Sequence, residues 1–423
     1  MSDSWMARAE EMDLKDPLRH FRGEFHLPEH LIYMDGNSLG PAPVPAERAL
    51  VRAMDRWKKH LVAGWTHPPS PWFTLAEELA KRFELLVGAK PAEVAITGSA
   101  TVNLHQLVAT FFRPGPGRDQ ILADVLNFPS DLYALAGQLK LRGLPRNCLV
   151  LVESADGRTL DEECILEAMT PRVALAVLPS VLYQSGQLLD VPRLAAAARE
   201  RGIIIGFDLC HSVGVVPHQL SAWGVDFAFW CNYKYINGGP GAPGGLYVHE
   251  RHHGLRPGLP GWWGSDKSRQ FHMTREFWPA RDAGAFQIGT PPILSLAPLE
   301  GALELLERAG LEAIRVKSLA LTRFFQDMAA LVLAPLGYCM VTPREDHRRG
   351  GHVALEHAHA WQMVQALVAR GVVPDFRPPA TIRLAPAPLY NTFTEVCRVV
   401  RLLEELVRDR AYLEYPTARS TVT

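Results

Sequence analysis

Phe227-Ala-Phe-Trp-Cys-Asn-Tyr-Lys-Tyr-Ile-Asn-Gly-Gly-Pro-Gly-Ala-Pro-Gly-Gly245 passes from an apolar, strand-like segment into a glycine-rich turn and delivers one lysine, Lys234, at the junction. Aromatic residues flank it on both sides. Desolvation among aromatics shifts an amine toward its neutral, nucleophilic form, and a neutral amine condenses with an aldehyde to a Schiff base. Taken alone, the same lysine is a strand-end side chain snorkelling to water. The glycines behind it lack the lysine spacing of a phosphate loop. The rest of the chain decides between the two.

On either side of this stretch, apolar runs alternate with helical periodicity. Helices are expected from about Ala46 to Leu61 and from Phe73 to Val87, the second capped by Gly88. A short strand at 93–97 leads through a Gly-Ser turn into a helix beginning near Ser99. Strands follow at Gln120–Ala123, Leu149–Val152 and Val173–Leu178, with helices to about Lys140 and over Pro192–Arg201. Ile203-Ile-Ile-Gly-Phe-Asp208 is apolar enough for a strand buried on both faces. Such alternation predicts a mostly parallel sheet covered by helices, with its sites at the C-terminal ends of the strands.

Beyond Gly245-Leu-Tyr-Val-His249 the composition changes to the loop-rich Pro257-Gly-Leu-Pro-Gly-Trp-Trp-Gly264. Helical pattern returns over Leu294–Ala309 and Leu311–Leu333. Strands near Gly337–Val341, Gly351–Leu355 and Thr381–Leu384, with helices over Ala358–Arg370 and Thr394–Leu403, predict a smaller α+β domain. The expected division is an N-terminal arm and helix at 1–62 packing with the small domain, a large domain at 63–292, the small domain at 293–415 and a disordered tail at 416–423.

With 423 residues there is core for two or three domains, and 48% hydrophobic against 21% charged residues describes an ordinary globular chain. A net charge of -1 offers no electrostatic case for nucleic acid or an anionic membrane, which leaves small-molecule chemistry. Cys148, Cys164, Cys210, Cys231, Cys339 and Cys397 form no C-x-x-C pair and read as reduced thiols. An acidic N-terminal stretch and the lack of a long apolar run make the cytoplasm the expected location. His347, His352, His357 and His359 lack a helical metal-ligand spacing, so no metal is expected.

Two further features accompany Lys234. Gly98-Ser-Ala-Thr101 opens a helix, where free backbone N–H groups and the Ser99 and Thr101 hydroxyls can hold a phosphate; simple N-capping by Ser99 explains the same residues. Asp208-Leu-Cys-His211 sets a carboxylate and an imidazole at a strand end, where an aspartate can pair with a pyridinium nitrogen, or merely cap the next turn. The combination resembles that of an α/β, fold-type I (aspartate aminotransferase-like) enzyme using pyridoxal 5'-phosphate.

Narrower motifs refine this. Tyr33-Met-Asp-Gly-Asn-Ser-Leu-Gly-Pro41, Thr101-Val-Asn-Leu-His105, Phe128-Pro-Ser-Asp131, Asp208-Leu-Cys-His211, Asn232-Tyr-Lys-Tyr235, Gly261-Trp-Trp-Gly264 and Arg383-Leu-Ala-Pro-Ala-Pro-Leu-Tyr-Asn391 occur in this order and together closely resemble the kynureninase family. The resemblance implies a homodimer that hydrolyses L-kynurenine to anthranilate and L-alanine through aldimine and ketimine stages on the cofactor. It implies that Lys234 carries the cofactor and moves the α-proton, that Ala100, Thr101 and Tyr233 hold the phosphate, and that Phe128 stacks on the pyridine with Asp131 in the same loop. Asp208 is implied as partner of the pyridinium nitrogen, with His211 beside it, and Ser180 as another cofactor contact. Trp263 and Thr290 are implied to reach in from the other subunit. Arg383 is the implied holder of the substrate carboxylate, a role that suits a guanidinium. Gly289-Thr290 and Trp65 follow the bacterial-type pattern, which favours kynurenine over its 3-hydroxy derivative.

Tyr233 is both a phosphate ligand and a candidate proton donor, and the sequence does not rank the two. Gly238 to Gly245 are expected to let backbone pass close to the cofactor. The rivals are a cysteine desulfurase, a small-substrate aminotransferase and a catalytically silent scaffold that kept the fold. A desulfurase needs a thiol on a mobile loop, whereas Cys339 and Cys397 fall in regular elements. A silent scaffold has no chemical need for Lys234, Asp208 and Arg383 together.

Overall fold

The apolar runs flanking the lysine stretch form the middle of a seven-stranded sheet. The computed structural model describes residues 2–418, with side chains from residue 4. Ahead of the sheet come α1 (Ser2–Lys15), the two-residue strand β1 (Ile32–Tyr33), α2 (Val44–His60) and α3 (Trp72–Val87). The alternation then runs β2 (Val94–Ile96), α4 (Ala100–Phe111), β3 (Gln120–Asp124), α5 (Pro129–Leu141), β4 (Leu149–Val152) and α6 (Glu162–Ala168). It continues with β5 (Val173–Pro179), α7 (Val191–Glu200), β6 (Ile204–Asp208), α8 (Leu220–Trp223), β7 (Phe227–Trp230) and β8 (Gly245–Val248).

The strand order is β2-β8-β7-β6-β5-β3-β4. Strands β4, β3, β5, β6 and β7 run parallel, and β8 is antiparallel to both its neighbours. Every residue of β5 and β7 is buried, which is why they read as continuous apolar runs. One apolar layer packs α3 and α7 on one side of the sheet, and another packs α4 and α5 on the opposite side. The open ends of β5, β6 and β7 therefore point at a common rim.

The C-terminal part contains α9 (Ile293–Ala309), α10 (Leu311–Val332), β9 (Cys339–Met340), β10 (Val353–Glu356) and α11 (Ala360–Ala369). After them come β11 (Val372–Val373), β12 (Asp375–Arg377), β13 (Thr381–Leu384) and α12 (Phe393–Arg408). Strands β12-β13-β10-β9 make an antiparallel sheet with its own core. The N-terminal segment is tied to this part twice. Strand β1 pairs with β11, and the Asp13 carboxylate accepts from the backbone N–H of Phe393 at 2.7 Å and Thr394 at 3.0 Å, capping α12.

Several elements differ from expectation. The strand over Gly337–Val341 contracts to Cys339–Met340, while the last helix runs on to Arg408 behind a Thr392/Glu395 capping box. Helices α1 and α6 and strands β1, β11 and β12 are additional. They are short or lean on partners distant in sequence, as Ala9 of α1 does on the C-terminal core. Of the expected tail, 419–423 lie outside the described residues. Pro416 and Ala418 still accept hydrogen bonds from Gln365 and Trp361 of α11, so the chain stays docked to that point.

Candidate active site

At the rim where β5, β6 and β7 end, a cavity of ≈ 190 Å³ is lined by Ala100, Thr101, Phe128, Asp131, Asp208, His211, Tyr233, Lys234 and Arg383. All nine were singled out by sequence. A larger groove of ≈ 1070 Å³ opens on the outer face near His347 and Arg348. Of its carboxylates, Asp156, Asp161 and Asp190 accept from backbone N–H groups of the adjoining turns, and none of the site residues singled out by sequence lines it.

One end of the cavity is the start of α4. Gly98, at φ +54°, turns the chain out of β2, and Ser99 caps the helix by accepting from Val102 N–H at 3.4 Å. Capping does not exhaust the donors: the N–H groups of Ala100 and Thr101 lie in the first turn, where a helix provides no acceptor. Thr101 Oγ1 is 2.7 Å from Ser130 Oγ at the start of α5. The free N–H groups at the start of α4 and the Thr101 and Ser130 hydroxyls thus meet at one point, which suits an anion.

The glycine run after Lys234 does not approach the cavity. A Cβ on Gly245 would strike the Trp230 indole, and one on Gly244 would meet the Trp230 carbonyl oxygen and the Ser99 carbonyl carbon. These glycines let the chain cross the back of the α4 turn, and none of Gly238 to Gly245 lines the cavity. This corrects the expectation of a direct cofactor approach.

The opposite end is built by β6 and β7. Asp208 closes β6, and its Oδ1 accepts from Cys210 N–H at 2.7 Å. Burial pushes the Asp208 carboxyl up, while the Lys234 ammonium and the Cys210 N–H pull it back. Lys234 Nζ stands 2.9 Å from His211 Nε2. Burial, then Lys234, hold His211 well below its ordinary value, so the imidazole is neutral and accepts from the ammonium. Asp131 is pushed well up by burial and then by Asp208. Burial raises the Tyr233 phenol, with Cys231 adding to the shift.

Ser180 sits behind the wall rather than in it. It is fully buried, donates to the Asp208 carbonyl at 3.0 Å and lies 2.7 Å from Ser212 Oγ, which in turn is 2.9 Å from His218 Nε2. It steadies the end of β6. Phe128, 38% exposed, stands over the opening with Tyr183 edge-on at 5.2 Å.

Arg383 reaches the cavity from β13. It is 1% exposed, donating through Nε to Asp375 Oδ2 at 2.5 Å, through Nη1 to the Tyr183 carbonyl at 2.5 Å and through Nη2 to Ser38 Oγ at 3.1 Å. The N-terminal turn comes close too: Gly40 N–H donates to the Tyr233 carbonyl at 2.7 Å. Asn37, Ser38, Tyr183, Cys210 and Arg377 line the cavity without having been singled out. Asn37, Ser38 and Cys210 lay inside motifs quoted for other residues. Arg377 had a weaker signal, the polar-apolar-polar pattern of Asp375-Phe-Arg377.

Trp65, Trp263, Gly289 and Thr290 are not brought to the cavity. The Trp65 and Trp263 rings lie 5.5 Å apart, and Trp263 is packed with its Nε1 buried and without an acceptor among the described residues. Gly289 and Thr290 are exposed and follow Ile288, whose backbone abuts Gly261. The four thus occupy one neighbourhood apart from the cavity. His352 packs 5.7 Å from His211, whereas His357 and His359 pack around Tyr412. Among the described residues no group of three or more His, Cys, Asp and Glu could hold a metal.

The donor set fits pyridoxal 5'-phosphate. The start of α4 with the Thr101 and Ser130 hydroxyls supplies an anion cradle, Lys234 an amine hydrogen-bonded to neutral His211, and Asp208 a carboxyl at the wall that accepts from the Cys210 N–H. Phe128 offers an apolar face between the two ends.

Comparison with known proteins agrees. A family model described as the kynureninase C-terminal domain matches residues 314–403. A kynureninase of Geobacillus thermodenitrificans (strain NG80-2) is 52% identical over 415 residues, covering 98% of this chain and 97% of its own length. One of Bacillus anthracis is 51% identical over 413 residues, covering 97% and 96%. Among solved structures, an apo cysteine desulfurase from Thermococcus onnurineus NA1 superposes with a TM-score of 0.79 at 20% identity, over 92% of this chain and 98% of that one. A C-DES variant with glycine covalently linked to its PLP cofactor gives 0.78 at 18% identity, over 90% and 99%. These structures share the fold, which is that of the fold-type I pyridoxal-phosphate enzymes, and the near-full-length identity is to kynureninases. The chain belongs to the kynureninase family.

Proposed function

We propose that the cavity at Lys234 is where this chain, with pyridoxal 5'-phosphate, hydrolyses L-kynurenine to anthranilate and L-alanine. The observation that carries the reading is convergence: Lys234 after β7, Asp208 at the end of β6 and Arg383 on β13 face one cavity closed by a helix-start anion cradle. When bound, the cofactor supplies an aldehyde for the substrate amine and a ring that accepts electron density.

The chain's own residues do the rest. The first turn of α4, with Thr101 and Ala100, would hold the phosphate, and Tyr233 lies at the same cavity. Asp208 would hold the pyridine nitrogen of the bound cofactor, with Asp131 and His211 in the same polar wall. Lys234 removes and returns the proton at the substrate α-carbon, its Nζ aimed by neutral His211. Tyr233, its phenol raised by burial, stays protonated and can donate to the leaving fragment. Arg383 sets the positive charge that receives the substrate carboxylate.

The same reading makes the enzyme a homodimer in which Trp263 and Thr290 complete the other copy's cavity. Their position outside their own cavity, and the exposure of Thr290, support it. Trp65 and Gly289 then select kynurenine over its 3-hydroxy derivative. The division into a cofactor-binding domain at 63–292 and a small domain at 293–415 draws support from the separate core of the antiparallel sheet, although α9 packs through Leu296, Leu299 and Leu303 into the core of the large one. A cytoplasmic location is consistent with six free cysteines, and among the described residues no helix is long and apolar enough to cross a membrane.

The test is an absorbance spectrum followed by addition of L-kynurenine. The wild type shows a visible cofactor band and releases fluorescent anthranilate; Lys234→Ala alters the band and releases none. A coloured protein that left L-kynurenine intact would overturn the activity and spare the fold.

A further inference from the structure

Neutral His211 receives the Lys234 ammonium on Nε2, so its one ring proton sits on Nδ1. That nitrogen is buried and has no hydrogen-bond partner among the described residues. An unmet buried N–H favours the other tautomer, in which the proton moves to Nε2 and turns a donor toward the ammonium. Holding His211 in the form that accepts from Lys234 therefore requires an acceptor behind the ring.

The side chains whose charges bear most on His211 are Lys234 after β7, Arg383 on β13, His352 just ahead of β10 and Arg377 on β12. Lys234, Arg383 and Arg377 are cations with no lone pair to offer. His352 is different. It is 0% exposed, and neither of its ring nitrogens has a hydrogen-bond partner among the described residues. Burial, then Arg383 and Lys234, hold it well below its ordinary value, so it is neutral and one nitrogen carries a lone pair.

The packing of the ring indicates which nitrogen. A Cβ built on Gly186 would stand 3.2 Å from His352 Nε2 and 3.4 Å from Cδ2, so this edge lies on the turn from Tyr183 to Gly186, where His352 faces the Tyr183 carbonyl as a donor. That carbonyl also takes Arg383 Nη1, and it has two lone pairs. Nδ1 of His352 is left as the acceptor. The His211 and His352 ring centroids are 5.7 Å apart. A direct N–H···N bond sets imidazole centroids about 5 Å apart and a bridging water about 7 Å. A small turn of either ring thus closes the direct bond, whereas a water is too large for the gap.

We propose that His352 is a positioning residue: it accepts the Nδ1 proton of His211 and so fixes the tautomer whose Nε2 receives Lys234. Each imidazole keeps one proton throughout, and donors and acceptors run in one direction from Lys234 through His211 and His352 to the Tyr183 carbonyl. His352 does not line the cavity and touches no reacting atom there. The role depends on Lys234 acting as an amine and not on which substrate is cleaved.

The experiment is a long-range proton–nitrogen correlation spectrum of the full-length protein labelled with 15N-histidine, recorded before and after loading with pyridoxal phosphate, with His211→Gln identifying the His211 signals. Wild type shows His211 protonated on Nδ1 and bare on Nε2. His352→Phe fills the space without a lone pair, and the Nε2–H form of His211 rises from under about a tenth to at least about half. His352→Gln, whose amide oxygen accepts, restores the Nδ1–H form. A wild-type His211 protonated on Nε2, a result that needs no variant to fold, overturns the proposal. So does a His352→Phe protein in which His211 keeps its Nδ1 proton. If the protein binds pyridoxal phosphate yet leaves L-kynurenine intact, the activity assignment falls while the spectrum still decides the role of His352.

Discussion

Gly244 offers a way to disturb the phosphate cradle without touching any group that lines the cavity. A Cβ added there would stand 2.8 Å from the Trp230 carbonyl oxygen, 2.9 Å from Asn103 Nδ2 and 3.1 Å from the Ser99 carbonyl carbon. Trp230 closes β7 in the fully buried centre of the sheet and cannot yield. The displacement therefore falls on Ser99 and Asn103, at the start of α4. Asn103 Nδ2 pins that turn by donating to Thr97 O at 2.9 Å and Gly245 O at 3.3 Å. Overpacking of this kind costs about 1–3 kcal/mol, and a strained hydrogen bond of this type contributes about 1 kcal/mol. If about 1.4 kcal/mol of the total is felt by the bound state, Gly244→Ala weakens phosphate-dependent cofactor binding about tenfold. Titrating apoprotein with pyridoxal phosphate and, separately, with pyridoxal reads this out. Only the phosphate ester should lose affinity, alongside a modest fall in Tm. A lowered Tm with unchanged pyridoxal phosphate affinity, or equal loss for both compounds, would refute the placement of the cradle at this helix start.

Asp35 lies close to Arg377 and Arg383, with its carboxyl pushed up to about 6 by burial and then by Asp375, and with Oδ1 buried and without a hydrogen-bond partner among the described residues. A carboxyl raised above its unfolded value contributes stability that is full below about pH 4 and is lost as the pH rises through about 6. Asp35→Asn should thus raise Tm at about pH 8 and leave it unchanged near pH 4; an equal shift at both would disprove the buried charge. Co-expression of Lys234→Ala with Trp263→Ala tests the shared site. Neither variant alone releases anthranilate, whereas mixed dimers contain one complete cavity and do; activity no higher than either parent would rule out sharing.

Much of the large sheet was legible because its strands are buried on both faces. Burial of that kind leaves runs such as Ile203–Phe207 and Val173–Leu178 with no polar residue to blur them. The parts that escaped are held by long-range contacts instead. Strand β1 exists because residues 372–373 pair with it, and α1 because Asp13 caps a helix some 380 positions away. A local pattern cannot announce a partner that far along the chain. The site divides the same way. Asp208, Lys234 and Thr101 stand where a strand or turn gives way to the next element, and there sequence punctuation is strong. Arg377 is an arginine in a three-residue strand, and only the register of β12 on β13 reveals that it shares Asp375 with Arg383.

That dependence on register explains why the fold alone does not choose the chemistry. Desulfurases superpose on most of this chain at about a fifth sequence identity, so the scaffold is common to both activities. Desulfuration requires a thiolate that can reach a substrate sulfur. Here the exposed thiols, Cys164 and Cys339, lie outside the cavity, and the thiol inside it, Cys210, is buried beneath Asp208 with its proton held on by Cys231 and by desolvation. The cavity presents an amine, phenols and two guanidiniums beside the Asp131 and Asp208 carboxyls and the His211 imidazole. Guanidiniums bind a carboxylate, an amine moves protons at carbon and a phenol can protonate a carbon leaving group; a hydrolysis of a carbon–carbon bond, with water added to the ketone carbonyl, draws on such groups, whereas desulfuration would require the reachable thiolate that this cavity lacks.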